Sequence, residues 1–139
     1  VTFSKFCEAV FGDVAPQNLI DPELNGNIRP LIDLESSGLI NRDSVGLTRT
    51  LEFNEHGYTV LREQDYALVL KGKKNTNITY NIIPLTPLGV ELLSLLPGRD
   101  IKAVAKRVSE AMKTNEIELA IFSRVVNNAY SDQQILWRN

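Results

Sequence analysis

The spacing of apolar residues changes twice along this 139-residue chain, and these changes constrain its fold more than any other feature. Between residues 3 and 40, apolar side chains recur with a spacing near 3.6, which is typical of amphipathic helices. Between residues 45 and 84 the spacing becomes 2, which is typical of half-buried strands. From residue 86 the helical spacing returns. The chain therefore predicts an α+β fold with antiparallel strands placed between helices.

Three helices are predicted before the strands. The first spans residues 3–11, and its buried stripe contains Phe3, Phe6, Cys7, Val10 and Phe11. A short helix is expected at "DPEL", with Asp21 as its cap and Pro22 as its first residue. A stronger helix follows, capped by Asn27 and ended by a left-handed Gly38. Its shared face is predicted to hold Ile28, Leu31, Ile32 and Glu35.

The alternating region predicts three or four antiparallel strands joined by hairpins. In "GLTRTLEF", the side chains expected on one side of the strand are those of Leu47, Arg49, Leu51 and Phe53. The segments "YTVLR", "YALVLK" and "NITYNII" follow, and turn-forming residues separate them.

Two further helices and a strand are predicted after residue 85. Thr86 and Pro87 begin a helix that Pro97 ends, with a predicted buried stripe of Leu88, Leu92, Leu95 and Leu96. Gly89 in this helix favours close contact with the sheet over phosphate binding. Asp100 caps the next helix, whose inward residues are predicted to be Ile101, Val104, Ala105, Val108 and Met112. The frequent β-branched residues of segment 116–126 favour a strand, and "QQILW" is a candidate for a last one.

Composition narrows the class of protein. The hydrophobic fraction of 43% and the charged fraction of 23% are typical of a globular domain. Cys7 is the only cysteine, so no intrachain disulfide is possible, and a reducing, cytoplasmic setting is expected. No apolar run reaches the roughly 20 residues of a membrane-spanning helix. Because the chain begins at Val1 and not at Met, a longer parent protein is one expectation.

Charge is distributed unevenly. Residues 1–41 carry Lys5 and Arg29 against six acids, residues 42–96 carry six bases and six acids, and residues 97–139 carry seven bases against five acids. This distribution lacks the strong basic excess of a typical nucleic-acid-binding protein.

Two motifs resemble parts of a known family. In "LIDLESSGLINR", Leu34, Glu35, Gly38, Leu39, Ile40 and Arg42 resemble the end of the recognition helix in multiple-antibiotic-resistance-type winged helix-turn-helix regulators. The segment "LTPLGVELL", with Leu85, Thr86, Gly89, Leu92 and Leu93, is similar to the segment that leaves their wing. The resemblance covers roughly residues 3–96. The chain is also similar to the terminal domain of an uncharacterised bacterial family, a similarity that implies no activity.

The chain departs from the regulator pattern in two places. The 44 residues between Ile40 and Leu85 exceed the length of one short hairpin, so an enlarged antiparallel wing sheet is expected. The element before the recognition-like helix is turn-rich, so the first helix of the helix-turn-helix is expected to be missing or degenerate. The prediction is one domain, residues 1–139. Its residues 1–96 are winged-helix-like, and its residues 97–139 add a helix and a strand that pack on the sheet.

The resemblance leaves two functions open. A winged-helix nucleic-acid binder would use Asn27, Arg29, Lys71, Lys73 and Lys74, whose amide and cationic groups suit base edges and phosphates. Asp33 and Glu35 on the same helix oppose contact with a polyanion. Association with a protein partner or with a second copy is therefore the preferred hypothesis, with DNA as the alternative.

An enzyme is not expected. His56 lies in the turn "NEHGY", Cys7 lies in an apolar stripe, and Glu116 and Glu118 suit the solvated face of a strand. No HExxH, Walker, GxGxxG or GxSxG motif is present in the sequence. We therefore predict no catalytic residue, no metal, no cofactor and no small-molecule ligand.

Overall fold

A computed structural model describes residues 2–41 and 47–139 of the chain. Its helices are α1 (Phe3–Cys7), α2 (Gln17–Leu24), α3 (Arg29–Ser36), α4 (Pro87–Leu95) and α5 (Ile101–Ala111). Its strands are β1 (Val14–Pro16), β2 (Thr48–Glu52), β3 (Tyr58–Glu63), β4 (Tyr66–Gly72), β5 (Asn77–Pro84), β6 (Ile117–Val126) and β7 (Ala129–Arg138). The fold is α+β, as the change of spacing predicts. Within the described ranges, no helix is long and apolar enough to cross a membrane.

The strands form two antiparallel sheets. One has the order β1-β5-β2, and the other has the order β3-β4-β6-β7. Four strands, β2 to β5, lie in the alternating region, where three or four are predicted. The expectation of hairpins between successive strands is confirmed for β3 and β4, but it is wrong for β2, which pairs with β5. The pairing of β4 with β6 brings the last part of the chain into the second sheet.

Two hydrophobic cores hold these elements together. The first joins α1, α2, α3 and α4 to β1 and to the end of β5, and it includes Phe6, Val10, Leu31, Leu34, Ile83 and Leu93. The second joins α5 to β4 and β6, and it includes Leu68, Leu70, Val104, Val108, Ile117 and Phe122. The appended part predicted as one helix and one strand contains α5, β6 and β7, because the segment around "QQILW" belongs to a ten-residue strand.

The first helix is shorter than predicted. It ends at Cys7, because the N–H groups of residues 8–10 donate to carbonyls three residues earlier and not four, which is a tighter turn than that of an α-helix. Gly12 then turns at φ +74°, and Phe11 pairs with Val14 in an isolated bridge. The prediction of burial is nevertheless confirmed for Phe6, Cys7, Val10 and Phe11, at most 1% exposed.

The next two helices correct other predictions. Pro22 lies inside α2, not at its first position, so Asp21 is not a cap. The helix expected to be missing or degenerate is present with eight residues. Ile28, and not the predicted Asn27, takes the N-cap position of α3, while the Asn27 Oδ1 one residue earlier accepts a hydrogen bond from the Arg29 N–H at 3.0 Å. Gly38 has φ +76°, as predicted. Ile28 is 50% exposed, because α3 turns Leu31 and Leu34 inward.

The predictions after residue 96 are confirmed more closely. The Asp100 Oδ1 accepts a hydrogen bond from the Ala103 N–H at 3.1 Å and so caps α5. The residues predicted to face inward are buried or half-buried, namely Ile101, Val104, Ala105, Val108 and Met112. The preference for a strand over residues 116–126 is confirmed by β6.

Candidate functional site

An exposed apolar surface lies on α4. Leu88 is 48% exposed, Leu92 is 36% exposed and Leu95 is 74% exposed. Their spacing of four and then three residues places them on one side of a helix, so they form a continuous stripe. We call these three residues the α4 face. The sequence predicts burial for these three residues and for Leu96. That prediction is wrong for the three, because α4 turns Gly89 and Leu93 toward the first core instead, whereas Leu96 is partly buried against that core.

The orientation of α4 is fixed by contacts at its first turn. A Cβ atom at Gly89 would overlap the Leu39 carbonyl oxygen, so only glycine permits this approach. The Thr86 hydroxyl donates a hydrogen bond to the Gly38 carbonyl, and the Thr86 N–H donates to the Leu39 carbonyl at 3.0 Å. The same hydroxyl accepts from the Gly89 N–H at 3.1 Å, which confirms the predicted cap. These contacts fix which side of α4 remains in solvent.

The exposed face is energetically significant. Complete burial of a leucine side chain contributes roughly 1.5–3 kcal/mol relative to exposure. Covering the exposed fractions of Leu88, Leu92 and Leu95 would therefore contribute on the order of 3 kcal/mol. Single apolar residues on a surface are ordinary, whereas a contiguous patch is typical of an interaction site.

A cleft of about 730 Å³ runs beside α4. Val90, Glu91 and Ser94 line it from the helix, and Arg62 and Tyr66 line it from the β3–β4 hairpin. Glu91 is exposed, and its carboxylate makes no hydrogen bond or ion pair with any residue that the structure describes. The α4 face and the cleft therefore flank one unpaired acidic side chain.

A buried ion pair forms the inner wall of the cleft. Arg99 donates to the Glu63 carboxylate, to the Val10 carbonyl and, through Nε at 3.2 Å, to the Cys7 carbonyl. The other Glu63 oxygen accepts from the Gly12 N–H at 3.0 Å. The side chains of Arg99 and Glu63 are only 12% and 14% exposed. Because these contacts engage Nε and both terminal nitrogens, Arg99 connects structural elements and does not offer a free charge to a ligand.

The residues predicted for nucleic-acid binding fall into two groups. Asn27 and Arg29 lie at the start of α3, which packs on the first core, and the Arg29 Nε lies 3.7 Å from an Asp33 carboxylate oxygen. Lys71 lies in β4 with its ammonium 5.9 Å from the Tyr58 ring centre.

Lys73 and Lys74 are exposed in the turn after β4. No hydrogen bond or ion pair joins these lysines or Lys71 to Asn27 or Arg29 in the part of the chain that is described. Arg42, which belongs to the quoted motif, lies outside the described residues.

The predicted placements of Cys7, His56 and Glu118 are confirmed, whereas Glu116 lies in the turn before β6 and not on the strand. Cys7 is fully buried, and burial raises the pKa of its thiol to about 12. The His56 side chain is 74% exposed in a turn, beside Glu55. Glu116 and Glu118 are both exposed. No group of three possible metal ligands occurs among the residues described.

Tyr80 has a hydroxyl that sequence analysis did not single out. The oxygen is buried and has no hydrogen-bond partner among the described residues, and burial raises the pKa of Tyr80 to about 12. Arg99 and Glu63 were also missed. No local pattern indicates their pairing, since 35 residues separate them in the chain.

Comparisons of the chain with protein-family models, with curated proteins and with solved structures give no match.

Proposed function

We propose that this domain associates with another protein through the α4 face. The observation that carries the proposal is the exposure of Leu88, Leu92 and Leu95 on one side of a helix whose opposite side is fixed in the core. The apolar stripe offers a partner the driving force for association, and the rigid first turn of α4 holds it in place.

The arrangement of elements supports a winged-helix frame for this function. Three helices precede a pair of antiparallel strands, β2 and β5, and α4 follows β5 directly. The resemblance to winged helix-turn-helix regulators rests on the two motifs that bracket these strands, and β3 and β4 lie between β2 and β5 in the chain. A fold of this kind does not decide function by itself, so the docking proposal rests on the exposed face.

DNA binding is the alternative. Lys73 and Lys74 are exposed cations at a turn, which supports contact with phosphates. Arg29, however, lies beside the Asp33 carboxylate, and residues 1–41 carry six acids against two bases. The repulsion between these acids and a polyanion places protein association first. We propose that association takes place in the cytoplasm, where a single cysteine such as Cys7 stays reduced.

The proposal is tested by capture of partners from a lysate of the source organism. The bait is the wild-type domain, and the variant bait carries Leu92→Gln and Leu95→Gln. Ile135→Gln is the matched control, because Ile135 is 55% exposed but lies on β7 and not on α4. Quantitative mass spectrometry should show proteins captured by the wild type and the control and lost from the double variant.

Equal capture by all three baits would refute docking at the α4 face. A titration with duplex DNA at low salt tests the alternative in parallel. DNA binding would be favoured by two results together. The domain would bind duplex DNA tightly and less tightly when Lys71, Lys73 and Lys74 are replaced with alanine, and the three baits would capture the same proteins.

A further inference from the structure

We infer that the α4 face binds a cationic amphipathic helix of a partner protein. This inference rests on the proposed function and adds the chemistry of the occupant. It is carried by three observations, namely the spacing of the exposed leucines, the unpaired Glu91 at their edge and the acidic surroundings of the first core.

The shape of the α4 face fits a helix. The face is a stripe along a nine-residue helix, whose length is roughly 13 Å at 1.5 Å per residue. A partner helix that presents apolar side chains at positions i, i+3 or i+4 and i+7 would place them against Leu88, Leu92 and Leu95. The 730 Å³ cleft beside α4 gives room for a long side chain that extends from such a helix past Ser94.

A second copy of the chain fits this face poorly. Glu91 follows Leu88 by three residues and precedes Leu95 by four, so it borders the stripe near its middle. In a two-fold arrangement centred on Leu92, the same surface of both copies meets itself. The two Glu91 carboxylates would then approach each other, and like charges at an interface oppose association.

The charges around the face favour a basic partner. Residues 2–41 and 82–96, which build the first core and α4, carry seven carboxylates against the two cations Lys5 and Arg29. From outside these ranges, Arg49 lies 3.4 Å from Asp13, and Arg62 lines the cleft beside Glu91. Lys5 lies 3.1 Å from Glu8 and 3.7 Å from Glu23, so it is already paired. Glu91 has no partner in the described chain. A lysine or arginine that flanks the apolar stripe of a partner would meet this carboxylate, which would fix the orientation of the partner helix.

The test uses two labelled helical peptides of about 18 residues, a length at which a helix forms readily. Both carry the same leucine stripe. One has lysines at the flanking positions and the other has glutamates there. Fluorescence anisotropy measures the binding of each peptide to the wild type, to Glu91→Lys and to the Leu92→Gln and Leu95→Gln double variant, with Ile135→Gln as the control.

The lysine peptide should bind the wild type and the control at least about tenfold more tightly than the glutamate peptide. Glu91→Lys should remove or reverse that preference while both peptides still bind. The double variant should lose affinity for both peptides. The preference of the wild type should also weaken as salt is added, because these charges are exposed.

The results distinguish failure of the cationic-helix inference from failure of the proposed docking at the α4 face. If both peptides bind the wild type equally, or if neither binds, a cationic helix is not the occupant. The proposal of docking at the α4 face would still stand if the lysate experiment shows proteins that the wild type captures and the leucine double variant does not. If the double variant binds the peptides as well as the wild type does, the α4 face is not the docking surface. A wild-type dimer in sedimentation that the double variant loses would identify a second copy as the occupant and overturn the inference.

Discussion

Arg99 and Glu63 form a buried ion pair that joins the loop before α5 to the end of β3. The same guanidinium bonds the carbonyls of Cys7 and Val10, which belong to the first core. One side chain thus connects the first core, which carries the α4 face, to the sheet that covers the second core. The two cores are held together by this contact as well as by the chain connections between them.

Replacement of Arg99 with methionine should destabilise the protein by about 2–3 kcal/mol, because Glu63, whose side chain is only 14% exposed, would lose its partner. Chemical denaturation measures the change in the free energy of unfolding. Lys5→Met is the control, since its ion pair with Glu8 is about half exposed and should contribute little to stability. Equal effects of the two substitutions would mean that the pair at Arg99 does not hold the cores together.

Gly89→Ala should also destabilise the protein, although alanine favours a helix by up to about 1 kcal/mol over glycine. The added Cβ would overlap the Leu39 carbonyl oxygen, and the resulting displacement of α4 should cost about 1–3 kcal/mol. Ser94→Ala in the same helix is the control, because Ser94 is exposed and its hydroxyl bonds only within α4. A Gly89→Ala variant as stable as the wild type would contradict the close contact that orients α4.

Truncation to alanine should reduce stability much more at Leu93 than at Leu95. Leu93 is 6% exposed, so Leu93→Ala should cost about 2–5 kcal/mol. Leu95 is 74% exposed, so Leu95→Ala should change stability by no more than about 0.5 kcal/mol. Thermal or denaturant unfolding of the two variants checks this. A large loss of stability in Leu95→Ala and a small loss in Leu93→Ala would contradict this orientation of α4 and would favour the buried stripe that the sequence predicts.

The thiol of Cys7 should make stability depend on pH in the alkaline range. Burial raises its pKa from 9.0 to about 12, so the thiol stays protonated in the folded protein. Its contribution is fully present below the unfolded pKa and is lost as pH rises from about 9 toward about 12, because only the unfolded state ionises there. Unfolding free energies measured from about pH 8 to about pH 10.5 should fall more steeply for the wild type than for Cys7→Ala.

Parallel pH profiles of the wild type and Cys7→Ala would contradict a protected thiol. Alkylation gives an independent check. A buried thiol of raised pKa should react with iodoacetamide only when the protein opens, and the reaction should become fast in denaturant.

Helix α4 shows which features of this structure a sequence pattern predicts and which it does not. The cap at Thr86 and the start of the helix follow from local chemistry, and both are confirmed. The helix is apolar almost all round, with Glu91 as its single charge, so the spacing allows two overlapping faces to be buried. The choice of Leu93 over Leu95 depends on the approach of Gly89 to Leu39. That contact joins residues 50 positions apart, and no local pattern encodes it.

In other elements too, local features are predictable from the sequence and contacts between distant residues are not. All five residues predicted for the inward side of α5 are buried or half-buried, because charged residues such as Lys102 and Lys106 mark its solvent side, but the buried Ser109 is not among them. The pairing of β2 with β5 was missed, since alternation predicts strands but not their partners. The ion pair of Arg99 and Glu63 could not be predicted for the same reason, because it depends on the packing of distant segments.

Photo-crosslinking from position 95 detects a partner docked on the α4 face. A benzoylphenylalanine replaces Leu95 in one protein and Ile135 in another, and both are irradiated in a lysate of the source organism. We expect a reproducible covalent adduct with a partner protein from position 95 and no such adduct from position 135. The absence of an adduct at position 95, or the same adducts from both positions, would contradict docking at the α4 face.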